Sequence, residues 1–182
     1  MSQVLVPLAE GCEELEAVTV IDLLRRAGIG VVTAGLAPGP VRASRGVVLL
    51  PDTDLDTALR QDYDMVVLPG GLPGATHLEA DARIRALLHK MADSEKFTAA
   101  ICAAPKVLAS AGLLAGRQST CYPGVLDPAA TPGVDSRRPV VRDGRVVTSR
   151  GPGTAMDFAL ELIECLEGRA ARDKVEAGLV RA

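Results

Sequence analysis

Tryptophan is absent from this chain of 182 residues, and aromatic side chains are reduced to two tyrosines and two phenylalanines. A core must therefore be built from aliphatic residues, which a hydrophobic share of 48% supplies. Only two histidines occur, His77 and His89. Neither belongs to an H-E-x-x-H arrangement, so no metal site is expected. The four cysteines, Cys12, Cys102, Cys121 and Cys165, form no C-x-x-C pair. Their spacing fits neither a secreted disulfide framework nor a zinc knuckle. Excess positive charge is missing too. The formal net charge is −3, and without a basic footprint nucleic-acid binding is not expected. No apolar run reaches the roughly 18 residues of a membrane span, and the opening "MSQVLVPLAEGCEE" has no basic leader. The expectation is a soluble cytoplasmic protein, with residues 1–182 forming one domain.

What is present is an alternation of β-branched runs with helical patterns, the signature of βαβ units and a mainly parallel sheet. "QVLVPLA" reads as a first strand and is followed by a helix to about Arg26, with Gly28 as its stop. "IGVVTAG" and "GVVLLPD" read as further strands. "DMVVLPGG" and "FTAAICAA" read as central strands buried on both faces. Helices are expected over about 80–92 and from Pro105. "RPVVRDGRVVTS" reads as a hairpin turning at Asp143–Gly144. A long helix runs to Gly168 with Thr154 near its start, and a short polar one covers about 170–179. These elements specify a flavodoxin-like three-layer α/β/α sandwich, whose ligands bind at the carboxyl ends of the strands.

Cys102 closes a central strand three residues before Pro105, a residue suited to a helix's first turn. A sharp strand-to-helix turn there would hold the sulfur over the helix N-terminus, in the manner of a nucleophile elbow. In such a setting a thiol pKa falls from about 8.5 to between ~3.5 and ~7.5. The same residue can equally be read as a small buried hydrophobe. Gly70 and Gly71, ending the neighbouring strand, leave room for backbone N–H groups to approach a ligand. Together with the N–H of Ala103 they suit an oxyanion hole. Glu16 shares a helix face with Val20 and Leu23. An inward-facing carboxyl of this kind has a raised pKa and can move a proton near neutrality. The alternative is a glutamate at the rim of an amphipathic helix. His77 and His89 read as surface or capping residues, which disfavours a cysteine hydrolase that needs a histidine base.

Taken in order, "EGCEELEAV", "SRGV", "VVLPGG", "AAICAAP" and "SRGPGTAMDFAL" resemble the ThiJ/PfpI superfamily over nearly the whole chain, and its protein-deglycase branch above all. The resemblance implies the same α/β sandwich, a homodimer and no cofactor. It places the reactive cysteine at Cys102 and its protonated glutamate partner at Glu16, with pocket N–H groups from Gly71 and Ala103. It also places anion-binding arginines at Arg45 and Arg26. One departure stands out: where the family often has a histidine, "TCYPG" has Tyr122, whose phenol is a poor base at pH 7. Cys121 and Cys165 read as packing, and Cys12 as a thiol near the start of a helix with an open role.

The activity implied is that of a glyoxalase or protein deglycase, converting small α-oxoaldehydes or their early protein adducts to hydroxy acids. The rival reading is a redox sensor with chaperone-like activity, in which Glu16 stabilises an oxidised Cys102. The same two residues serve both.

Overall fold

The computed structural model describes residues 1–181. Its main sheet has seven strands in the order β5-β2-β1-β6-β7-β9-β8. β1 (Gln3–Leu8), β2 (Gly30–Gly35), β5 (Thr53–Asp54), β6 (Met65–Leu68), β7 (Phe97–Ile101) and β9 (Val146–Ser149) run parallel. β8 (Val140–Asp143) returns antiparallel at the edge. Every residue of β6 and β7, and all of β1 after Gln3, is buried. Their unbroken apolar runs thus reflect a parallel sheet covered on both faces. α1 (Glu14–Arg26), α6 (Ala155–Glu167) and α7 (Arg169–Gly178) pack together on one side. α3 (Leu72–Ala80), α4 (Ala82–Asp93) and α5 (Pro105–Ser110) pack on the other, and the short α2 (Leu55–Ala58) lies beside β2 and β5. The expected flavodoxin-like α/β/α sandwich is the fold observed.

Three local expectations are corrected. "GVVLLPD" is not a strand of the main sheet. Only β4 (Val48–Leu49) forms, pairing antiparallel with β3 (Val41–Arg42) in a separate two-stranded ribbon. The place beside β2 goes instead to β5, and Val47, Val48 and Leu50 are left about half exposed or more. The hairpin turns at Gly144–Arg145 rather than Asp143–Gly144, because Asp143 still pairs with Val146 and Gly144 takes the positive φ of 59°. The helix expected over 80–92 begins at Ala82, where Asp81 caps it by accepting a hydrogen bond from the Arg83 N–H at 2.9 Å. A separate helix, α3, precedes it and contains His77.

The β1-α1-β2 and β6-α3-α4-β7 crossovers lead to opposite sides of the sheet, so the strand order reverses between β1 and β6. In open α/β sheets that crevice collects ligands. The residues following β1, β6 and β7 meet there.

Candidate active site

Cys102 follows the last residue of β7 with φ of +64°, the left-handed region that non-glycine residues avoid at a cost of roughly 1–3 kcal/mol. Its neighbours hold it there. The Cys102 N–H donates to the Ser149 carbonyl at 2.9 Å, and its own carbonyl accepts from the Tyr122 N–H at 2.9 Å. Pro105 then opens α5. The nucleophile-elbow geometry read from "AICAAP" is therefore present, and the residue is 9% exposed, at the edge of the core.

Glu16 lies on the first turn of α1 and is wholly buried. Its Oε2 accepts a hydrogen bond from the Gly70 N–H at 2.8 Å. The start of α1 is fixed to the same glycine, since the Glu13 N–H donates to the Gly70 carbonyl at 2.9 Å. A Cβ on Gly70 would fall 2.6 Å from both the Cys102 Cβ and Glu16 Oε2. That single point brackets the thiol and the carboxyl as immediate neighbours. Each shifts the other's titration, but without the alignment of a full hydrogen bond, so Glu16 Oε1 is buried with no partner. Burial raises the Glu16 pKa to about 7; the Gly70 N–H and the Cys102 thiol pull it down, and the Glu13 charge raises it further. A carboxyl with an unpartnered buried oxygen and a pKa near neutrality is suited to carrying a proton.

For the thiol, the expectation of a lowered pKa needs correcting. Burial, then the charge and proximity of ionised Glu16, push Cys102 up to about 12, while the Gly71 and Ala103 N–H groups pull it down. α5 has only six residues, too short a dipole to outweigh burial. Protonating Glu16 removes the repulsion and leaves the two N–H groups facing the sulfur. Neither N–H has another backbone acceptor, so both are available to a thiolate or an oxyanion. Gly71 itself has φ of +82°, and a Cβ there would strike the Gly11 carbonyl and lie 2.7 Å from the Glu13 nitrogen. Only glycine fits.

The structure thus brings Cys102, Glu16, Gly70, Gly71 and Ala103 together. It also brings Tyr122, half-exposed, whose ring lies 3.3 Å from where a Gly151 Cβ would stand. Tyr122 shares a cavity of about 230 Å³ with Arg150 and the turn from Gly151 to Thr154. Arg150 and this turn had no role assigned from sequence, although "SRGPGT" stood among the resembling motifs. Arg45 is carried by a loop tied to the start of α1: its N–H donates to Glu14 Oε1 at 2.9 Å, and the Ser44 hydroxyl lies 2.7 Å from Glu13 Oε2. Its guanidinium has no carboxylate within 4 Å among the described residues. Arg26 is not brought to the cysteine within one chain. It lies at the far end of α1, paired with Asp22 at 2.6 Å. Cys12 and Cys121 are buried, and Cys165 is half-buried beside Glu161. His89 bonds the Ala111 carbonyl and His77 the Glu10 carbonyl, both outside this site.

A parallel α/β sandwich with a cysteine in a left-handed elbow and a buried carboxyl beside it defines a thiol-bearing class of sites at a strand-order reversal. Within that class, residues 2–165 match the DJ-1/PfpI family, and the chain belongs to it. It is 44% identical over 181 residues to "Protein dj-1beta" of Drosophila melanogaster, covering 98% of this chain and 96% of that one. It is 38% identical over 162 residues to "Glutathione-independent glyoxalase DJR-1.2" of Caenorhabditis elegans, covering 87% and 85%. The solved structure "Toxoplasma gondii DJ-1, oxidized" superposes with a TM-score of 0.94 at 40% identity, covering 100% of both chains.

Proposed function

We propose that this protein is a cofactor-free, thiol-dependent glyoxalase and deglycase acting on α-oxoaldehydes such as methylglyoxal or their early protein adducts. The observation that carries the reading is the buried Glu16 carboxyl beside Cys102, with the Gly71 and Ala103 N–H groups directed at the sulfur. The similarity to a relative named as a glutathione-independent glyoxalase supports it.

In this mechanism the Cys102 sulfur attacks the aldehyde carbon as its thiol proton passes to the Glu16 carboxylate. The aldehyde oxygen takes the electron pair, is held by the Gly71 and Ala103 N–H groups, and accepts a proton from Glu16 to give a hemithioacetal. Glu16, again ionised, removes the proton from the former aldehyde carbon and returns it to the adjacent carbon, while the hydroxyl proton moves from the former aldehyde oxygen to the former ketone oxygen. The product is a 2-hydroxy thioester on Cys102. Water cleaves it, releasing lactate from methylglyoxal and restoring the thiol. Every electron stays within substrate and sulfur, so no external oxidant is needed.

In metal-free, amine-free buffer the purified protein should convert methylglyoxal to lactate, and Cys102→Ala and Glu16→Gln should abolish turnover. Equal activity in wild type and both variants would remove the reading.

The unpartnered Glu16 Oε1 also favours a second reading, in which the protein senses oxidative stress and acts as a redox-regulated chaperone. Peroxide would oxidise Cys102 to a sulfinate, and protonated Glu16 would donate to one of its oxygens. Selective gain of two oxygens at Cys102, in a protein without turnover, would favour the sensor over the enzyme.

A second copy of the chain is proposed to cover the apolar face formed by Leu15 and Val18 on α1 with Val47, Val48 and Leu50 around the β3–β4 ribbon. All five are about half exposed or more. The reduced cytoplasm is the compartment proposed, since four free thiols persist there.

A further inference from the structure

A cavity outside the cysteine site has no part in the mechanism above. It measures about 520 Å³, within the range of small-molecule pockets, and opens at the carboxyl ends of β1 and β2. Buried Leu8 and Val41 form its floor, and Leu36, Pro38 and Pro40 its apolar walls. Three polar residues complete it: Glu10, His77 and Asp81.

The hydrogen bonds already made decide what these three can still offer. Asp81 is spent, since its Oδ1 accepts from the Arg83 N–H and Nε at 2.9 and 3.0 Å and its Oδ2 from Arg83 Nη2 at 2.6 Å. His77 Nδ1 lies 2.9 Å from the Glu10 carbonyl oxygen. A carbonyl only accepts, so Nδ1 carries the proton, and in the neutral ring Nε2 is left as an acceptor. Glu10 Oε1 accepts the Arg42 backbone N–H at 3.1 Å, and no described donor reaches Oε2. No Lys or Arg lies within 4 Å of the Glu10 carboxylate among the described residues. The polar side chains of this cavity therefore offer acceptors and one uncompensated negative charge, above an apolar floor.

We propose that this cavity is a second binding site, for a small primary amine with a compact apolar body. The ammonium donates to Glu10 Oε2 and to the free nitrogen of His77, while the hydrocarbon displaces water from Leu8, Leu36 and Val41. An anion is excluded by Glu10. A neutral alcohol gains the apolar contact and forgoes the charge-assisted bond.

The test titrates uniformly labelled protein at pH 8 with cyclohexylmethylamine, cyclohexylmethanol and cyclohexylacetate, following the methyl resonances of Leu8, Leu36 and Val41 by NMR. The amine should give saturable shifts at these methyls, with the alcohol at least about tenfold weaker and the acetate inert. Glu10→Gln keeps an acceptor for the Arg42 N–H and should weaken the amine about tenfold or more. Ala80→Trp, which fills the cavity from the exposed end of α3, should abolish the shifts without changing the unfolding midpoint. Cys102→Ala should bind the amine like wild type. No saturable shift with the amine, equal binding of amine and alcohol, or indifference to Glu10→Gln would each overturn the proposal.

Discussion

At Gly70 one added methyl group would press on the Cys102 Cβ, the Glu16 carboxylate and the Ile101 carbonyl at once, at 2.6, 2.6 and 2.9 Å. Gly70→Ala should lower kcat/KM for methylglyoxal about 100-fold through misplacement alone. Gly153→Ala, with nothing within 4 Å of its new methyl, should leave the unfolding midpoint unchanged. Glu16 makes a second prediction at this scale. Its proton is held to about pH 7 in the folded chain, against an ordinary value of 4.5. Between those values the folded state binds more protons than the unfolded one. The stability contributed by this group is thus complete below about pH 4.5 and is lost as pH rises through about 7. Relative to Glu16→Gln, the wild type should lose on the order of 3 kcal/mol across that window, read from denaturant midpoints. Parallel curves for the two proteins would show that Glu16 is not held protonated. Glu16 was legible because Val20 and Leu23 follow it on one helical face. The raised pKa of Cys102 was not, because desolvation depends on packing from α1 and β6, which the local turn does not reveal.

Among the elements, those with strong periodicity were legible from sequence and those governed by neighbours were not. The continuous runs of β1, β6 and β7 marked them as central strands, and Gly28 and Gly168 marked helix ends. α3 was missed because "LPGATHLEA" carries Pro73 and Gly74 in its first turn and little amphipathic contrast. Its Gly74 packs against Cys12, where a Cβ would lie 2.7 Å from the backbone of that residue. "GVVLLPD" misled because Val47, Val48 and Leu50 face outward from the β3–β4 ribbon and only Leu49 packs toward the core. The hairpin offers a clean measurement. Gly144 adopts φ of +59°, and a Cβ there would stand 3.2 Å from Arg117 Nη1. Gly144→Ala should therefore destabilise the protein by about 1–2 kcal/mol, observed as a lower denaturant midpoint with an unchanged slope.

Across the whole molecule the site is assembled by topology. Glu16 follows β1, Gly70 follows β6 and Cys102 follows β7, and the sheet order makes these three strands adjacent. No local window could show that meeting; the alternation of strands and helices could, once it implied a parallel sheet with a reversal point. The global packing also sorts three of the four thiols. Cys12 and Cys121 are 0% and 1% exposed, so labelling by a thiol reagent should reach them only as fast as the whole protein unfolds. Cys102, at 9% exposure, should react in the native state. Native-state labelling of Cys12 as fast as that of Cys102 would contradict the buried β1–α1 junction. The turn at Cys102, finally, is clamped through its amide and carbonyl by Ser149 and Tyr122, with its side chain taking no part. Shape and reactivity are thereby separable at this corner. Exchanging sulfur for oxygen in Cys102→Ser changes the atom presented to a substrate while the peptide keeps its path.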